Sequence, residues 1–169
     1  MKQKTSVVAY LVLCLLFFTH STAADTPVRG AVTNLPLPRF VSLKASEGNV
    51  RRGPSLAHRI DWILKHRNTP LQVVAEYGHW RKVLDFEGAG GWIHYALLSG
   101  SRMVIVSDEL LDLKQQPKTE SLSKAQLQRN VIARVNACES KWCKITAGGY
   151  KGWVQKTALW GVSSDDIFD

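Results

Sequence analysis

An all-β fold, laid out as two tandem copies of one small barrel or sandwich, is what this 169-residue sequence predicts. Three observations carry the prediction. Arg67-Asn68 to Val83 matches Arg129-Asn130 to Ile145 without a gap, 62 residues further on, keeping Val73/Val135, Ala75/Ala137, Trp80/Trp142 and Lys82/Lys144. At an offset one residue shorter, Gly91-Trp92-Ile93 matches Gly152-Trp153-Val154. Within each copy, short apolar runs rich in β-branched and aromatic residues are punctuated by Gly, Pro and Asn, which is the pattern of strands and turns with little helix. A unit of about sixty residues present only twice indicates a tandem pair of small domains, because solenoids need more neighbours to bury their faces.

The chain begins with Lys2 and Lys4, an apolar run from Val7 to Phe18, and Ser21-Thr22-Ala23-Ala24 with small residues where a signal peptidase would cut. This predicts a secretory signal peptide over 1–24, with Cys14 removed along with it. The apolar run is shorter than the roughly 20 residues of a permanent span, so no permanent membrane span is expected, a retained anchor being the alternative. Export to the periplasm or the extracellular space follows. Loss of the signal removes two of the 22 basic residues and none of the 14 acidic ones, leaving 20 against 14 and a net charge of +6. That balance favours anionic surfaces without naming one. The longest Lys/Arg run is Arg51-Arg52 and no nucleic-acid motif is present, so nucleic acid is not an expected partner.

Residues 25–39 read as a linker punctuated by Pro27, Pro36 and Pro38, expected to be extended and mobile. Copy one spans 40–100. Val41–Ala45 alternates as a strand, Val50 continues an apolar position, and Gly53-Pro54 breaks the chain into a turn. Ile60–Leu64 is a short strand, and Thr69-Pro70 places a proline at a strand entrance. Leu71–Tyr77 and Trp80–Phe86, joined by two residues, form the clearest hairpin. Gly88, Gly90 and Gly91 make a loop, Trp92-Ile93 a last strand, and Tyr95–Leu98 one turn of tight helix. Copy two spans 101–162, with Leu111 to Pro117 replacing the Asn49-to-Pro54 segment, a hairpin of Val131–Ala137 with Trp142–Thr146, and Gly152-Trp153-Val154 at its close. Residues 163–169 are an acidic tail, expected to fray. Domains of this size bury only about 60% of their chain surface, so packing between the copies is expected.

Cys138 and Cys143 align with Glu76 and Arg81 of copy one. If Tyr77 faces Trp80 across the two-residue turn, Glu76 faces Arg81, and the same register sets Cys138 against Cys143. Cross-strand Cβ atoms lie about 4.5–5.5 Å apart, within reach of a disulfide that an exported location allows to form. Zinc would need a second ligand pair, which is missing from the sequence, and a catalytic thiol would need a His and a third group nearby.

The run Asn49-Val50-Arg51-Arg52-Gly53-Pro54-Ser55, then Trp80 with Val83, then Gly91-Trp92-Ile93 and Leu98, resembles the bacterial Src-homology-3-like domains of exported and cell-wall proteins. Copy two keeps Trp142, Ile145, Gly152-Trp153-Val154 and Leu159 but has lost the Asn, Arg and Gly of the first motif. The resemblance implies two tandem SH3-like half-open β-barrels of five strands each, and in several members binding of peptidoglycan or its peptide bridges.

Six tryptophans invite a binding reading, since aromatic faces stack on sugars and peptide backbones, although barrel cores use them as well. Trp92 and Trp153 read as structural, and Trp160, near the end of copy two, as covering an interdomain seam. Arg51 reads as a tie to loop carbonyls, and Arg52 as the better clamp for a carboxylate. The candidate ligand-binding residues are therefore Arg52, Trp62, Trp80 and Tyr95. His58, His66, His79 and His94 lack metal spacing, and no nucleophile-base pair or phosphate loop is visible, so no catalytic residue, metal or cofactor is expected. The sequence supports a non-catalytic exported binding module that holds a cell-wall peptide or glycan in the groove of copy one. The alternative is an envelope adaptor whose barrel binds an extended segment of another protein.

Overall fold

A computed structural model describes residues 28–169; the signal peptide expected over 1–24 lies outside the described residues. Copy one forms β1 (Arg39–Leu43), β2 (Gly48–Arg51), β3 (Ile60–Leu64), β4 (Pro70–Tyr77), β5 (Trp80–Leu84), β6 (Gly90–His94) and β7 (Leu98–Ser99). Copy two forms β8 (Met103–Val106), β9 (Leu110–Lys114), β10 (Ser123–Gln128), β11 (Ile132–Cys138), β12 (Trp142–Ala147), β13 (Tyr150–Gln155) and β14 (Leu159–Trp160). Single 3-10 turns at Tyr95–Leu97 and Lys156–Ala158 precede the last strand of each copy. The two sheets have the same order, β3-β2-β6-β5-β4-β1-β7 and β10-β9-β13-β12-β11-β8-β14. Each thus has seven strands where the resemblance implies five. Two-residue strands such as β7 are too short to show any alternation in sequence.

The repeat extends to backbone conformation. Asn68 and Asn130 both take a left-handed φ, 68° and 67°, at the turn before the central hairpin. Asparagine tolerates that region because its short polar side chain can bond locally. Gly91 and Gly152 are required by close strand approach. A Cβ at Gly91 would lie 2.8 Å from the Arg51 carbonyl oxygen, and one at Gly152 would lie 2.6 Å from that of Lys114.

The central hairpins carry a shared irregularity. Tyr77 pairs with Trp80 and Glu76 with Arg81, as expected, but the register slips between Val73 and Ala75. In copy two the slip falls between Val135 and Ala137, and Cys138 pairs with Cys143. One extra residue reverses the phase of side chains along a strand. Leu71 and Val73 are buried at odd positions, and beyond the bulge the buried residue is Glu76; likewise Ala133 and Val135 are followed by Cys138. The core of copy one is Leu43, Leu71, Val73, Val83 and Ile93. That of copy two is larger and includes the disulfide Cys138–Cys143 itself.

Both flanking segments differ from expectation. The segment expected to be an extended linker turns back on itself, with Gly30 N donating to Leu35 O at 2.8 Å and Leu37 N to Val28 O at 2.7 Å. This strap lies over Glu76, whose side chain is fully buried. Glu76 accepts from Val32 N (3.0 Å), Thr33 N (2.8 Å), Thr33 Oγ1 (2.6 Å) and Arg39 Nη2 (2.6 Å). Gly30 packs so closely on the carboxylate that a Cβ there would overlap it. The tail expected to fray is also held: Phe168 exchanges both backbone hydrogen bonds with Cys138, and buried Lys156 donates to Ser164 O (2.9 Å) and Asp166 O (2.6 Å). A buried charge needs such partners, and neither set can be read from apolar periodicity. Between the copies, Trp160 stands edge-on to Phe40 at 5.2 Å and Phe86 at 5.9 Å, which is the seam its position predicted.

Two predictions follow from the hairpin ends. Replacing both Cys138 and Cys143 by serine should lower the stability of copy two by on the order of 2 kcal/mol, because the closed loop is short; an unchanged thermal midpoint in oxidising buffer would contradict it. Burial raises the Glu76 pKa, but the donors from Thr33, Arg39 and Val32 outweigh it and hold the carboxyl at about 2, well below its ordinary value of 4.5. A depressed folded value stabilises above the unfolded one and is lost as pH falls through the folded one. Strap contacts should therefore weaken between about pH 4.5 and 2. Amide exchange of Val32 and Thr33 against acid reads this directly, and Glu76→Gln should flatten the dependence.

Candidate functional site

Trp80 and Trp142 occupy the same place on the two hairpins, and a cleft lies beside each. In copy one it measures about 90 Å³ and is lined by Asn49, Arg51, Leu56, Trp80, His94 and Leu97. In copy two it measures about 150 Å³, and Asp112, Lys114, Trp142, Gln155 and Ala158 take the corresponding positions. Strand pairing fixes the correspondence, since Arg51 pairs with Trp92 as Lys114 does with Trp153. Arg51 is committed to its own loop: Nη1 donates to Leu56 O at 3.1 Å and His58 O at 2.6 Å. In copy two the ammonium of Lys114 turns instead to Asp112 Oδ2 at 3.1 Å.

The four residues expected to bind ligand fall into two groups. Trp80 and Tyr95 share one aromatic cluster through His94, whose ring lies 5.5 Å from Trp80 and 5.1 Å from Tyr95, with His79 at 5.6 Å from Tyr95. Trp80 is only 9% exposed, so little of its ring is offered to a ligand. Arg52 and Trp62 lie elsewhere, on the β2–β3 ribbon, where Trp62 pairs with Val50 and Arg52 reaches Asp61 at 3.5 Å with most of its side chain in solvent. Asp61 also accepts from Arg59 Nε at 2.7 Å.

Around Trp62 the edge strand β3 is unusual. Ile60, Trp62 and Ile63 are 42%, 38% and 46% exposed. The equivalent strand β10 carries Ser123, Lys124, Gln126 and Gln128 outward, and Ala125 stands where copy one has Trp62. Single exposed apolar residues are ordinary, but here the bulge sets Ile60 and Ile63 opposite Arg51 and Asn49 on one face and Trp62 opposite Val50 on the other, so this edge strand exposes apolar side chains on both faces.

A third cleft, which sequence reasoning missed, opens on the other side of copy one. It measures about 350 Å³ and lies between the strap (Thr33, Leu35), β1 (Arg39, Phe40, Val41), Arg81 and the Tyr95–Gly100 segment. In sequence Arg39 falls within the expected linker, and Arg81 reads only as the partner of Glu76. Two guanidiniums here meet one carboxylate, Arg39 at 2.6 Å and Arg81 at 3.5 Å from Glu76 Oε1. Arg39 Nη1 is buried with no hydrogen-bond partner among the described residues. A lone proline-flanked arginine gave no sequence signal for this. Among the described residues, no three His, Cys, Asp or Glu side chains gather as a metal site would require, and no helix is long and apolar enough to cross a membrane.

No curated protein matches the chain. Among solved structures it is similar to NlpC2 from Trichomonas vaginalis (14% identity, 73% of this chain and 48% of that one, TM-score 0.35). It is also similar to NlpC1 from the same organism (14%, 78% and 48%, TM-score 0.35) and to an NlpC/P60 family protein from Bacillus cereus (13%, 72% and 55%, TM-score 0.33). The chain spans about half the length of these proteins. The family model for the bacterial SH3 domain matches it twice, at residues 44–100 and 109–161. With the shared strand order, the paired hairpins and the two Gly-Trp closures, this makes the chain a member of the bacterial SH3 domain family, carrying two such domains in tandem.

Proposed function

We propose that the protein is a non-catalytic, exported binding module of the cell envelope, whose first domain recognises a peptidoglycan peptide or glycan. The observation that carries this reading is the exposed Ile60-Trp62-Ile63 edge, present in domain one and replaced by polar residues and Ala125 in domain two. The exposed indole of Trp62 suits a sugar ring, and the half-free guanidinium of Arg52 on the same ribbon suits a peptide carboxylate. Trp80 and His94 line a separate small cleft and offer little grip, because Trp80 is packed. The family assignment and the disulfide support an envelope location.

The position of β3 at the end of its sheet favours a second reading, in which an extended segment of another envelope protein adds as a strand to that edge. Both readings use the same side chains. They separate by partner and by salt, since attraction to an anionic wall fades over a Debye length of about 8 Å at physiological ionic strength while backbone pairing and apolar contact persist.

Co-sedimentation of the purified protein with peptidoglycan sacculi at low and moderate salt tests the proposal. Retention should fall by about tenfold for Trp62→Ala, the loss typical of an aromatic anchor. Its thermal midpoint should barely move, because Trp62 is a surface residue. Retention unchanged by Trp62→Ala, or none at either salt, would remove the wall reading and leave the protein adaptor.

A further inference from the structure

Arg39, which lines the cleft of about 350 Å³ beside the strap, has a counterpart in domain two whose guanidinium is already engaged. Arg39 pairs with Val73 on β4, and Val73 corresponds to Val135, whose backbone N–H bonds to Arg102 O at 3.0 Å; Arg102 therefore stands in domain two where Arg39 stands in domain one. Arg102 is engaged by the chain's own C-terminal segment. Its guanidinium lies 3.3 Å from Asp166 Oδ2 and 4.0 Å from the centre of the Phe168 ring. Arg39 has the β4 carboxylate of Glu76 on one nitrogen, while its Nη1 is buried without a partner among the described residues. Arg81 adds a second positive charge where domain two has Cys143.

We propose that this cleft of domain one is a separate binding site for an acidic peptide segment, one that presents a carboxylate to Arg39 beside an apolar or aromatic side chain. The tail of domain two supplies the pattern: a carboxylate on the arginine with an aromatic ring stacked on the guanidinium plane. Domain one supplies the matching surroundings. Phe40, Val41, Leu35 and Leu98 give apolar walls, exposed Tyr95 stands at the rim, and the charges of Arg39 and Arg81 exceed that of Glu76 by one. Forked guanidiniums hold carboxylates with two donors, and burial raises the worth of such a pair. The site shares no side chain with the β3 edge, so the fate of either proposal leaves the other standing.

The probe is the peptide acetyl-Asp-Asp-Ile-Phe-Asp-amide, with its three-asparagine analogue as control, titrated into the purified protein and followed by NMR. The acidic peptide should shift the Tyr95 ring and the Arg39 side-chain N–H signals, and the asparagine analogue should bind at least about tenfold more weakly. Arg39→Lys keeps the charge near Glu76 but removes the fork, and should weaken binding by a similar factor. Gly100→Phe is the fold-preserving check, since a Cβ at Gly100 meets nothing within 4 Å and the residue lines the cleft. It should block the acidic peptide while leaving the Val32 and Thr33 amide signals unmoved. Equal binding of both peptides, shifts confined to Arg102 and Phe168, or undiminished binding by Gly100→Phe would each overturn the proposal.

Discussion

Burying the carboxylate of Glu76 obliges the chain to bring donors to it, and much of domain one is arranged around that obligation. A carboxylate removed from water without partners costs several kcal/mol. The β4 bulge turns Glu76 inward at the end of the hairpin, beyond the reach of the apolar core, where neither strand has a donor to spare except Arg81 at 3.5 Å. The shortfall is met by two backbone N–H groups and a hydroxyl of the strap and by Arg39 at the head of β1. One buried oxygen pair thus fixes the path of residues 28–38 and the entrance to the sheet. Domain two has the same bulge and turns the same position inward, but places Cys138 there and joins it covalently to the residue facing it. With no charge to satisfy, its hairpin end needs only backbone pairing, and Phe168 provides it.

This difference in how one geometric problem is solved accounts for the different surfaces of the two domains. The strap approaches Glu76 through backbone N–H groups directed at a side chain and leaves a gap between itself and the Tyr95–Gly100 segment. The tail approaches Cys138 through a single antiparallel bridge at Phe168 and supplies the acceptors of Lys156. Lys156 follows Gln155 as Tyr95 follows His94, so an exposed aromatic in one domain answers to a buried ammonium with two carbonyl acceptors in the other. Divergence between the copies is therefore concentrated where segments outside the repeat meet it, and at the edge strands β3 and β10.

Much of the fold was legible because the repeat is nearly gapless. The 62-residue offset and the two-residue turn sufficed to set Glu76 against Arg81 and Cys138 against Cys143, and the Tyr95 turn followed from its position after the closing strand. The bulge escaped for the same reason that the repeat was easy to see: both copies carry it at the same place, so aligning them opens no gap. The strap and tail escaped because they are held by hydrogen bonds to single buried groups, and such contacts leave no period in the sequence. Of the candidate site, Arg51 is legible as a loop tie, but the place of Trp80 in the hairpin does not reveal that it is packed, with His94 edge-on to its ring. The Arg39 cleft lay beyond reach because its two arginines are 42 positions apart and their meeting is fixed only by Glu76.

The limits of each domain are physical before they are sequential. A barrel begun at residue 40 would keep its buried core residues yet lose Leu37 packed against them, Arg39 and the strap, leaving Glu76 with Arg81 alone. A second barrel ended at 162 would keep its disulfide yet expose the backbone edge at Cys138 and strip both acceptors from Lys156. The strap cannot do the work of the tail, because it offers donors where Lys156 needs acceptors. Nor can the tail serve Glu76, since Asp165 and Asp166 would bring like charge to a carboxylate. The two copies have thus become non-exchangeable through the complementary polarity of what caps them, even while their strand order and hairpin register remain the same.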